Sequence, residues 1–216
     1  MQKKNVVIGI SAVGSGGKST TTKKLVTMLG DAVSIHFDDY VLGDEAYPQD
    51  IDSWIEHGTD PNEVNVPAQL AQDLHDLSHG QSITSAFDGS TVHPARYIIF
   101  EAPFGREHHA TGKYIDFHVF IDTPLEIALA RRTLIHNPFE GRENATKEEL
   151  LEQIQFVNFL LEGYTRYTRR IYLQMNKRVI PTSDFVLDGD QTVEAIAEQI
   201  ITAATKANII QAETQK

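Results

Sequence analysis

The sequence predicts an α/β fold of three layers, in which helices cover both faces of a mostly parallel five-stranded sheet. Five short apolar runs alternate along the chain with segments of helical periodicity. A glycine-rich stretch joins the first of these runs to the first helical segment. With 216 residues, 41% of them hydrophobic, the chain can form one sizeable core, and we expect a single domain over residues 1–216.

The predicted strands are short and apolar, as is typical of parallel strands buried on both faces. In the second run Val33, Ile35 and Phe37 alternate, so this strand is expected to end at Asp38-Asp39. The five runs lie at residues 6–10, 33–37, 97–100, 117–121 and 184–187.

The predicted helices begin and end at recognisable signals. Thr146 precedes two acidic residues and is typical of a helix N-cap. Gly30 and Gly80 follow apolar-periodic segments, where glycine commonly ends a helix. Residues 43–66 are polar and turn-rich, and 137–144 are expected to form a loop. The helices are expected at residues 19–29, 67–77, 124–134, 146–174 and 192–203.

The glycine-rich stretch, residues 9–20 with the sequence GISAVGSGGKST, predicts a phosphate-binding loop. Glycines let backbone N–H groups point at phosphates, and the following helix adds the positive end of its dipole. Lys18 would reach the β- and γ-phosphates, and the Ser19 hydroxyl would bind Mg²⁺. The motif departs from the usual pattern at Ala12, where glycine is common. The residues expected to bind ATP here are Gly14, Ser15, Gly16, Gly17, Lys18, Ser19 and Thr20.

A chance Gly-Lys-Ser match is the alternative interpretation of this stretch. It is disfavoured because the motif lies between a buried strand and the start of a helix, at the beginning of an α/β pattern. We therefore expect ATP and Mg²⁺ as cofactors.

Three carboxylates follow predicted strands: Asp38 and Asp39 follow the second, and Glu101 follows the third. Ligands of open parallel sheets bind beyond the carboxyl ends of the strands. Phosphoryl transfer to a hydroxyl uses one carboxylate to orient the hydroxyl and accept its proton, and others to hold Mg²⁺. Acidic residues also end strands simply as turn or capping residues. Three of them beside a phosphate loop favour a catalytic function.

The charge of the chain limits its partners. The formal net charge of −11 disfavours a nucleic-acid or anionic-membrane partner.

The N-terminus lacks the pattern of a signal peptide, no apolar run approaches the roughly 20 residues of a membrane span, and cysteine is absent. We expect a soluble, cytoplasmic protein whose partners are ATP and a small-molecule acceptor. The sequence leaves the oligomeric state open, with a homodimer as one option.

These motifs resemble those of the P-loop kinase group that includes uridine kinase, nicotinamide riboside kinase and phosphoribulokinase. Residues 35–40, IHFDDY, look like the second-strand motif of the group, which implies that Asp38 is the catalytic base. Residues 98–102, IIFEA, look like its third-strand motif, which implies that Glu101 holds Mg²⁺ together with Ser19. In the group a glycine usually follows that glutamate, and here Ala102 does.

The resemblance also implies a lid over residues 137–145. Residues 120–124 and Arg131-Arg132 look like the fourth strand of the group and the helix that leads to its lid, and residues 140–143, EGRE, look like part of the lid. We expect Arg132 and Arg142 to bind ATP, and Arg132 with Lys18 to neutralise the transferred phosphoryl group.

The acceptor is expected in the insertion after the second strand, about residues 40–95. Phe87, with Arg96, is the nearest match to the nucleoside-binding segment of the group. Trp54 would either stack on a ring of the acceptor or anchor the insertion to the core. The candidate acceptor contacts are Asp39, Tyr40, Asp52, Trp54, Phe87 and Arg96.

Three functions remain open at this stage. The first is a kinase for a nucleoside or similar ribose-containing metabolite, and the second is a kinase for a sugar or pantothenate-like acceptor. The third is a nucleotide-dependent regulatory ATPase, which the Asp38-Asp39 pair disfavours. A helix carrying three arginines and three tyrosines either faces an anion or is only partly exposed: Arg166, Arg169, Arg170, Tyr164, Tyr167 and Tyr172.

Overall fold

The apolar runs form the strands of a parallel sheet. A computed structural model describes residues 5–41, 43–135 and 145–211. Five strands of this part pair in the order β2-β5-β1-β6-β7, all parallel, and β3 with β4 forms a separate antiparallel hairpin. The predicted five-stranded sheet is thus confirmed. The strands are β1 (Val6–Ser11), β2 (Ala32–His36), β3 (Ile83–Thr84), β4 (Thr91–Val92), β5 (Tyr97–Glu101), β6 (Phe117–Asp122) and β7 (Phe185–Asp188).

Helices connect the strands where the periodicity predicts them. Thr146 caps α6 as expected, since its hydroxyl accepts the Glu149 N–H at 3.2 Å and the Glu149 carboxylate accepts the Thr146 N–H at 2.8 Å. None of the helices in the described ranges is long and apolar enough to cross a membrane. The helices are α1 (Lys18–Leu29), α2 (Ile51–Glu56), α3 (Ala68–Ser78), α4 (His109–Gly112), α5 (Leu125–Ile135), α6 (Lys147–Gly163), α7 (Arg169–Val179) and α8 (Val193–Lys206).

Two boundaries differ from the prediction. Strand β2 ends at His36, and Phe37–Asp39 forms a 3-10 turn instead of the last strand residues. Phe37 is nevertheless buried, at 1% exposure. Because a buried turn residue continues the apolar alternation of the strand, the sequence pattern placed the end of β2 too late. The predicted helix 146–174 is interrupted by a π-helical turn, Tyr164–Thr168, before α7 continues to Val179.

The sheet is buried on both faces. Val7 of β1 packs in one apolar cluster with Trp54 and Leu70, whereas its neighbour Ile8 packs in a second cluster with Leu25 and Ile200. Adjacent strand residues point to opposite faces, so the two clusters lie on opposite sides of the sheet. Helix α3 covers the first face, and α1 with α8 covers the second, which gives the predicted three layers.

Candidate active site

The segment between β1 and α1 forms a loop at the carboxyl edge of the sheet. Gly17 caps α1 with a φ of 96°, a left-handed conformation that glycine adopts without strain, and Ser15 also has a positive φ of 58°. The loop packs closely on itself, because a Cβ on Gly16 would lie 2.8 Å from the Val13 carbonyl and 2.9 Å from the Ala12 Cβ. Ala12, the departure from the usual motif, is thus accommodated by a glycine beside it.

Lys18 is the first residue of α1 and lies under the loop. Its side chain is only 9% exposed, and its Nζ donates to the Ala12 and Val13 carbonyls at 3.2 and 3.3 Å. Burial lowers the pKa of Lys18, while the nearby Glu101 and Asp38 carboxylates oppose that shift. A buried ammonium held mainly by carbonyl oxygens, at the N-terminus of a helix, fits an anionic ligand such as a nucleotide phosphate.

Glu101 is the centre of a hydrogen-bond network that joins three elements. The Ser19 hydroxyl donates to its Oε1 at 3.0 Å, and Nδ1 of His36 lies 2.6 Å from its Oε2. The register of the sheet explains this contact, since Glu101 pairs with Ile10 of β1 on one side and with His36 on the other.

His36 and Glu101 shift each other's pKa. Burial opposes ionisation of Glu101, but the hydrogen bond from His36 and the charges of Lys18 and His36 prevail and lower its pKa. The hydrogen bond to Glu101 raises the pKa of His36 against the effect of burial. Glu101 is therefore held as a carboxylate next to the Ser19 hydroxyl. His36 has no predicted role, although its place at the end of a strand, two residues before Asp38, is a usable signal in the sequence.

Ser19 and Glu101 fit the Mg²⁺ expected from the sequence. Both present oxygen atoms, the ligands that Mg²⁺ prefers, and they lie within 3.0 Å of each other beside the phosphate loop. Mg²⁺ in nucleotide sites uses few protein ligands, with phosphate and water completing its shell. The described part of the chain holds no group of three or more His, Cys, Asp or Glu side chains suited to a metal ion.

Asp38 and Asp39 lie on the 3-10 turn that follows β2. Asp38 is an exposed residue, yet partial burial of its carboxyl group raises its pKa, with Lys18 opposing and Glu101 and Asp39 adding to the shift. The charges of Lys18 and Glu101 therefore both influence the pKa of Asp38. Strand β5 lies between β1 and β2, so the turn reaches the loop across the end of β5.

Two side chains from distant helices reach the loop at Gly14. A Cβ on Gly14 would lie 4.0 Å from Nη1 of Arg132 on α5 and 2.1 Å from the hydroxyl oxygen of Tyr172 on α7. Arg132 of α5 is thus close to the loop, and its role in ATP binding stays a prediction. The sequence did not decide whether the helix that carries Tyr172 faces an anion. The contact between Tyr172 and Gly14 joins positions 158 residues apart, which no local sequence pattern connects.

Thr123, the residue after β6, holds the loop through a hydrogen bond. Its side chain is 1% exposed, and its hydroxyl donates to the Gly16 carbonyl at 2.9 Å. The segment after β7 closes over it, since Gly189 N–H donates to the Asp122 carbonyl at 3.0 Å and Arg131 Nη2 donates to the Gly189 carbonyl at 3.3 Å. Thr123 was also missed, because a threonine after a strand is common in sequences.

Three predicted acceptor contacts lie in the insertion, and each of them has a partner within the protein. The Tyr40 hydroxyl donates to the buried Asp73 carboxylate at 2.6 Å, which ties the 3-10 turn to α3. Trp54 is 3% exposed and its indole N–H donates to the Asp60 carbonyl at 3.0 Å, so the structure favours the anchor interpretation over ring stacking. Asp52 pairs with Arg170 of α7 at 2.9 Å, both partly exposed.

Arg96 lies apart from the loop, so its predicted contact with the acceptor needs correction. Arg96 precedes β5, so it lies at the amino end of the strand whose carboxyl end carries Glu101, and its guanidinium covers the Tyr97 ring at 5.4 Å. Phe87 is 79% exposed on the turn of the β3–β4 hairpin. Strand polarity separates Arg96 from the site, and that polarity cannot be seen in a match of short segments. Arg142 and the lid segment 137–144 lie outside the described residues.

The fold is similar to that of solved kinases. One is described as a possible uridine kinase from Bacillus stearothermophilus, with 14% identity over 87% of this chain and 91% of that chain, and a TM-score of 0.51. Another, described as a candidate fructose transport system kinase from Silicibacter sp. TM1040, has 14% identity over 86% and 91% of the chains and a TM-score of 0.50. Comparison with protein-family models and with curated proteins gives no match. At this identity the similarity concerns architecture, and the chain has the fold of the P-loop kinases.

Proposed function

We propose that this chain is an ATP-dependent small-molecule kinase that transfers the γ-phosphoryl group to a hydroxyl of a nucleoside or similar ribose-containing metabolite. One observation carries the proposal. A buried lysine of a phosphate-type loop, a carboxylate bonded to the first-turn serine, and a second carboxylate open to solvent converge at the carboxyl ends of β1, β5 and β2. This is the set of groups that phosphoryl transfer to an alcohol needs.

The loop and its neighbours bind the nucleotide. The N-terminus of α1 and the loop amides favour phosphate, and Lys18 exchanges its two carbonyl contacts for phosphate oxygens. Arg132, near Gly14, neutralises charge on the transferred group. Ser19 and Glu101 hold Mg²⁺, which supplies charge neutralisation between the phosphates when bound. His36 keeps Glu101 ionised through the hydrogen bond between them.

Asp38 acts on the acceptor. Asp38 is exposed, so a hydroxyl can approach its carboxylate and be oriented by it. The raised pKa of Asp38 brings its basicity closer to neutral pH, which improves proton transfer from the hydroxyl. Asp39, half-buried on the same turn, and Asp52 on α2 are the remaining polar candidates for contact with the acceptor.

A non-nucleoside acceptor is the second candidate. Of the two residues that best matched a nucleoside-binding segment, Arg96 lies at the amino end of β5 and Phe87 is exposed on a hairpin turn, and Trp54 is buried. An acceptor recognised mainly by polar groups, such as a sugar or a pantothenate-like compound, fits the remaining contacts. The two kinases with similar folds are described with different acceptors, so the architecture does not decide between these classes.

The experiment measures ATP turnover with and without a panel of hydroxyl compounds. ADP release is followed with nucleosides, sugars and pantothenate-like compounds, and the phosphorylated product is identified by mass spectrometry. A kinase releases ADP rapidly only with its acceptor and yields a stoichiometric phosphoester. Turnover that is equal with every compound and yields only inorganic phosphate would assign the chain to the regulatory ATPases instead.

A further inference from the structure

Tyr172 of α7 touches the phosphate loop at its first glycine. The position that a Cβ on Gly14 would occupy lies 2.1 Å from the Tyr172 hydroxyl oxygen and 3.2 Å from its Cζ. The phenol therefore fits against Gly14 only because that residue has no side chain. Gly14 is absent from the residues of positive φ, so its backbone conformation would accept another residue. Room for the Tyr172 hydroxyl is accordingly a reason for glycine at this place.

The hydroxyl lies among the groups that handle the terminal phosphate. Arg132 Nη1 lies 4.0 Å from the same Cβ position, and Asp38 acts on Tyr172 electrostatically. Asp38 and Arg132 in turn both act on Lys18, the residue that reaches the β- and γ-phosphates. Tyr172 and Lys18 thus share Asp38 and Arg132 as charged groups that act on both of them.

The protonation state makes the phenol a donor. Burial raises the pKa of Tyr172, and Arg132 and the backbone N–H of Gly14 only partly oppose this shift. The hydroxyl therefore keeps its proton at neutral pH. The hydroxyl lies against Gly14 of the loop, where its O–H bond can donate to an oxygen atom of a bound ligand.

We propose that the Tyr172 hydroxyl donates a hydrogen bond to the terminal phosphate of the nucleotide, and so makes the loop distinguish ATP from ADP. This inference rests on the proposed kinase function and adds a group from α7 to the γ-phosphate contacts. ADP lacks the phosphate that Tyr172 would contact, so the hydroxyl contributes to ATP affinity and not to ADP affinity. A kinase benefits from this difference, because it favours release of the product nucleotide.

The first test compares nucleotide affinities of Tyr172→Phe. Isothermal titration calorimetry with Mg·ATP and Mg·ADP is performed on the native chain, on Tyr172→Phe, and on Tyr167→Phe as a matched control from the same stretch of helix. We expect Tyr172→Phe to weaken ATP binding about tenfold or more, the usual value of a hydrogen bond to a charged group, and to leave ADP binding within about twofold. Tyr167, which stacks on Arg166, should change neither affinity.

The second test uses the tight contact at Gly14. Gly14→Ala would force its Cβ against the hydroxyl oxygen, whereas in a Tyr172→Phe background the nearest ring atom is Cζ at 3.2 Å. We therefore expect Gly14→Ala to weaken ATP binding in the native background and to cost several-fold less when Phe replaces Tyr172. Thermal unfolding of all variants confirms that each is folded at the temperature of titration.

The outcomes separate the inference from the function on which it rests. Equal losses for ATP and ADP in Tyr172→Phe, or unchanged or tighter ATP binding, would overturn the γ-phosphate contact while leaving a native chain that binds ATP as a kinase candidate. A native chain that binds neither nucleotide would overturn the proposed function and the inference together. Additive effects of Gly14→Ala and Tyr172→Phe would show that the two residues are not in contact.

Discussion

At the scale of single residues, Glu101 joins the first turn of α1 to strand β2. It accepts hydrogen bonds from Ser19 and from His36, and both of these residues come from other elements. Because the His36 side chain is only 23% exposed and the Glu101 side chain 7%, solvent screens this pair weakly. The pair should therefore contribute measurably to stability and should keep Glu101 ionised.

The His36–Glu101 pair predicts a pH-dependent stability. The folded pKa of His36 is raised, so its contribution is complete at acidic pH below the ordinary histidine value and is lost as the pH rises through the raised value. The pKa of Glu101 is lowered, so its contribution is lost only as the pH falls through that lowered value. Urea unfolding of native protein and His36→Gln should differ by about 1–3 kcal/mol near pH 6 and by less near pH 9. A difference that is constant over this range would contradict the ion pair.

Lys18→Ala should abolish tight nucleotide binding without harming the fold. Lys18 is buried at a cost that its carbonyl partners only partly offset, so its removal should leave the thermal midpoint unchanged or higher. Mg·ATP affinity, measured by calorimetry, should fall by more than about tenfold. Lys23→Ala, an exposed lysine of the same helix, is the control. Native affinity in Lys18→Ala would show that the loop does not bind phosphate.

At the scale of elements, the 3-10 turn after β2 is the part that carries the proposed base. Its position depends on Phe37, which packs edge-on against Phe104 at 5.2 Å, and on Tyr40, whose hydroxyl binds Asp73. Asp73 also accepts from Gln69 at 2.6 Å, so α3 holds a buried carboxylate with two donors. The turn is thus fixed to the insertion and not only to the strand that precedes it.

Tyr40→Phe tests whether Tyr40 has a structural role or contacts the acceptor. Removal of the hydroxyl leaves the Asp73 carboxylate, 3% exposed, with one donor fewer. We expect urea unfolding to show a loss of about 1–3 kcal/mol, with Mg·ATP affinity unchanged. Unchanged stability together with a raised KM for the acceptor would instead support the acceptor contact that the sequence suggested.

The sequence predicted the regular elements better than their ends. The five sheet strands were visible because parallel strands buried on both faces are apolar along their whole length. The β3–β4 hairpin was missed because two-residue strands leave no periodicity. The π-helical turn was missed because Tyr164–Thr168 shares the composition of the helices that flank it.

At the scale of the whole molecule, the strand order assembles the site. Strand β5 lies between β1 and β2, so the loop, Glu101 and the Asp38 turn, which follow these three strands, lie side by side. In the sequence these three segments are far apart. Motifs in the sequence predicted roles for Lys18, Ser19, Asp38 and Glu101, since each lies close to a recognisable strand. His36, Thr123 and Tyr172 act through contacts between distant segments, which a single sequence does not display.

The polarity of the strands also decides which predicted residues belong together. Residues at the carboxyl ends meet at one edge of the sheet, and Arg96, at the amino end of β5, lies away from that edge. A segment match without strand direction could not reveal this. Of the candidate acceptor contacts, Asp39 lies on the turn after β2, and Asp52 lies on α2, where it pairs with Arg170 of α7.

The most direct test of the account is the effect of Asp38→Asn on phosphoryl transfer. Asparagine keeps the shape of the side chain but cannot accept the proton of the acceptor hydroxyl. With the acceptor found in the turnover panel, the rate of acceptor phosphorylation and the Mg·ATP affinity are measured for native protein, Asp38→Asn and the neighbouring Asp39→Asn. We expect Asp38→Asn to bind Mg·ATP within a few-fold of native and to slow transfer roughly 10²–10⁴-fold, with a smaller loss for Asp39→Asn. A larger loss in Asp39→Asn, or native rates in both variants, would contradict the assignment of Asp38 as the base.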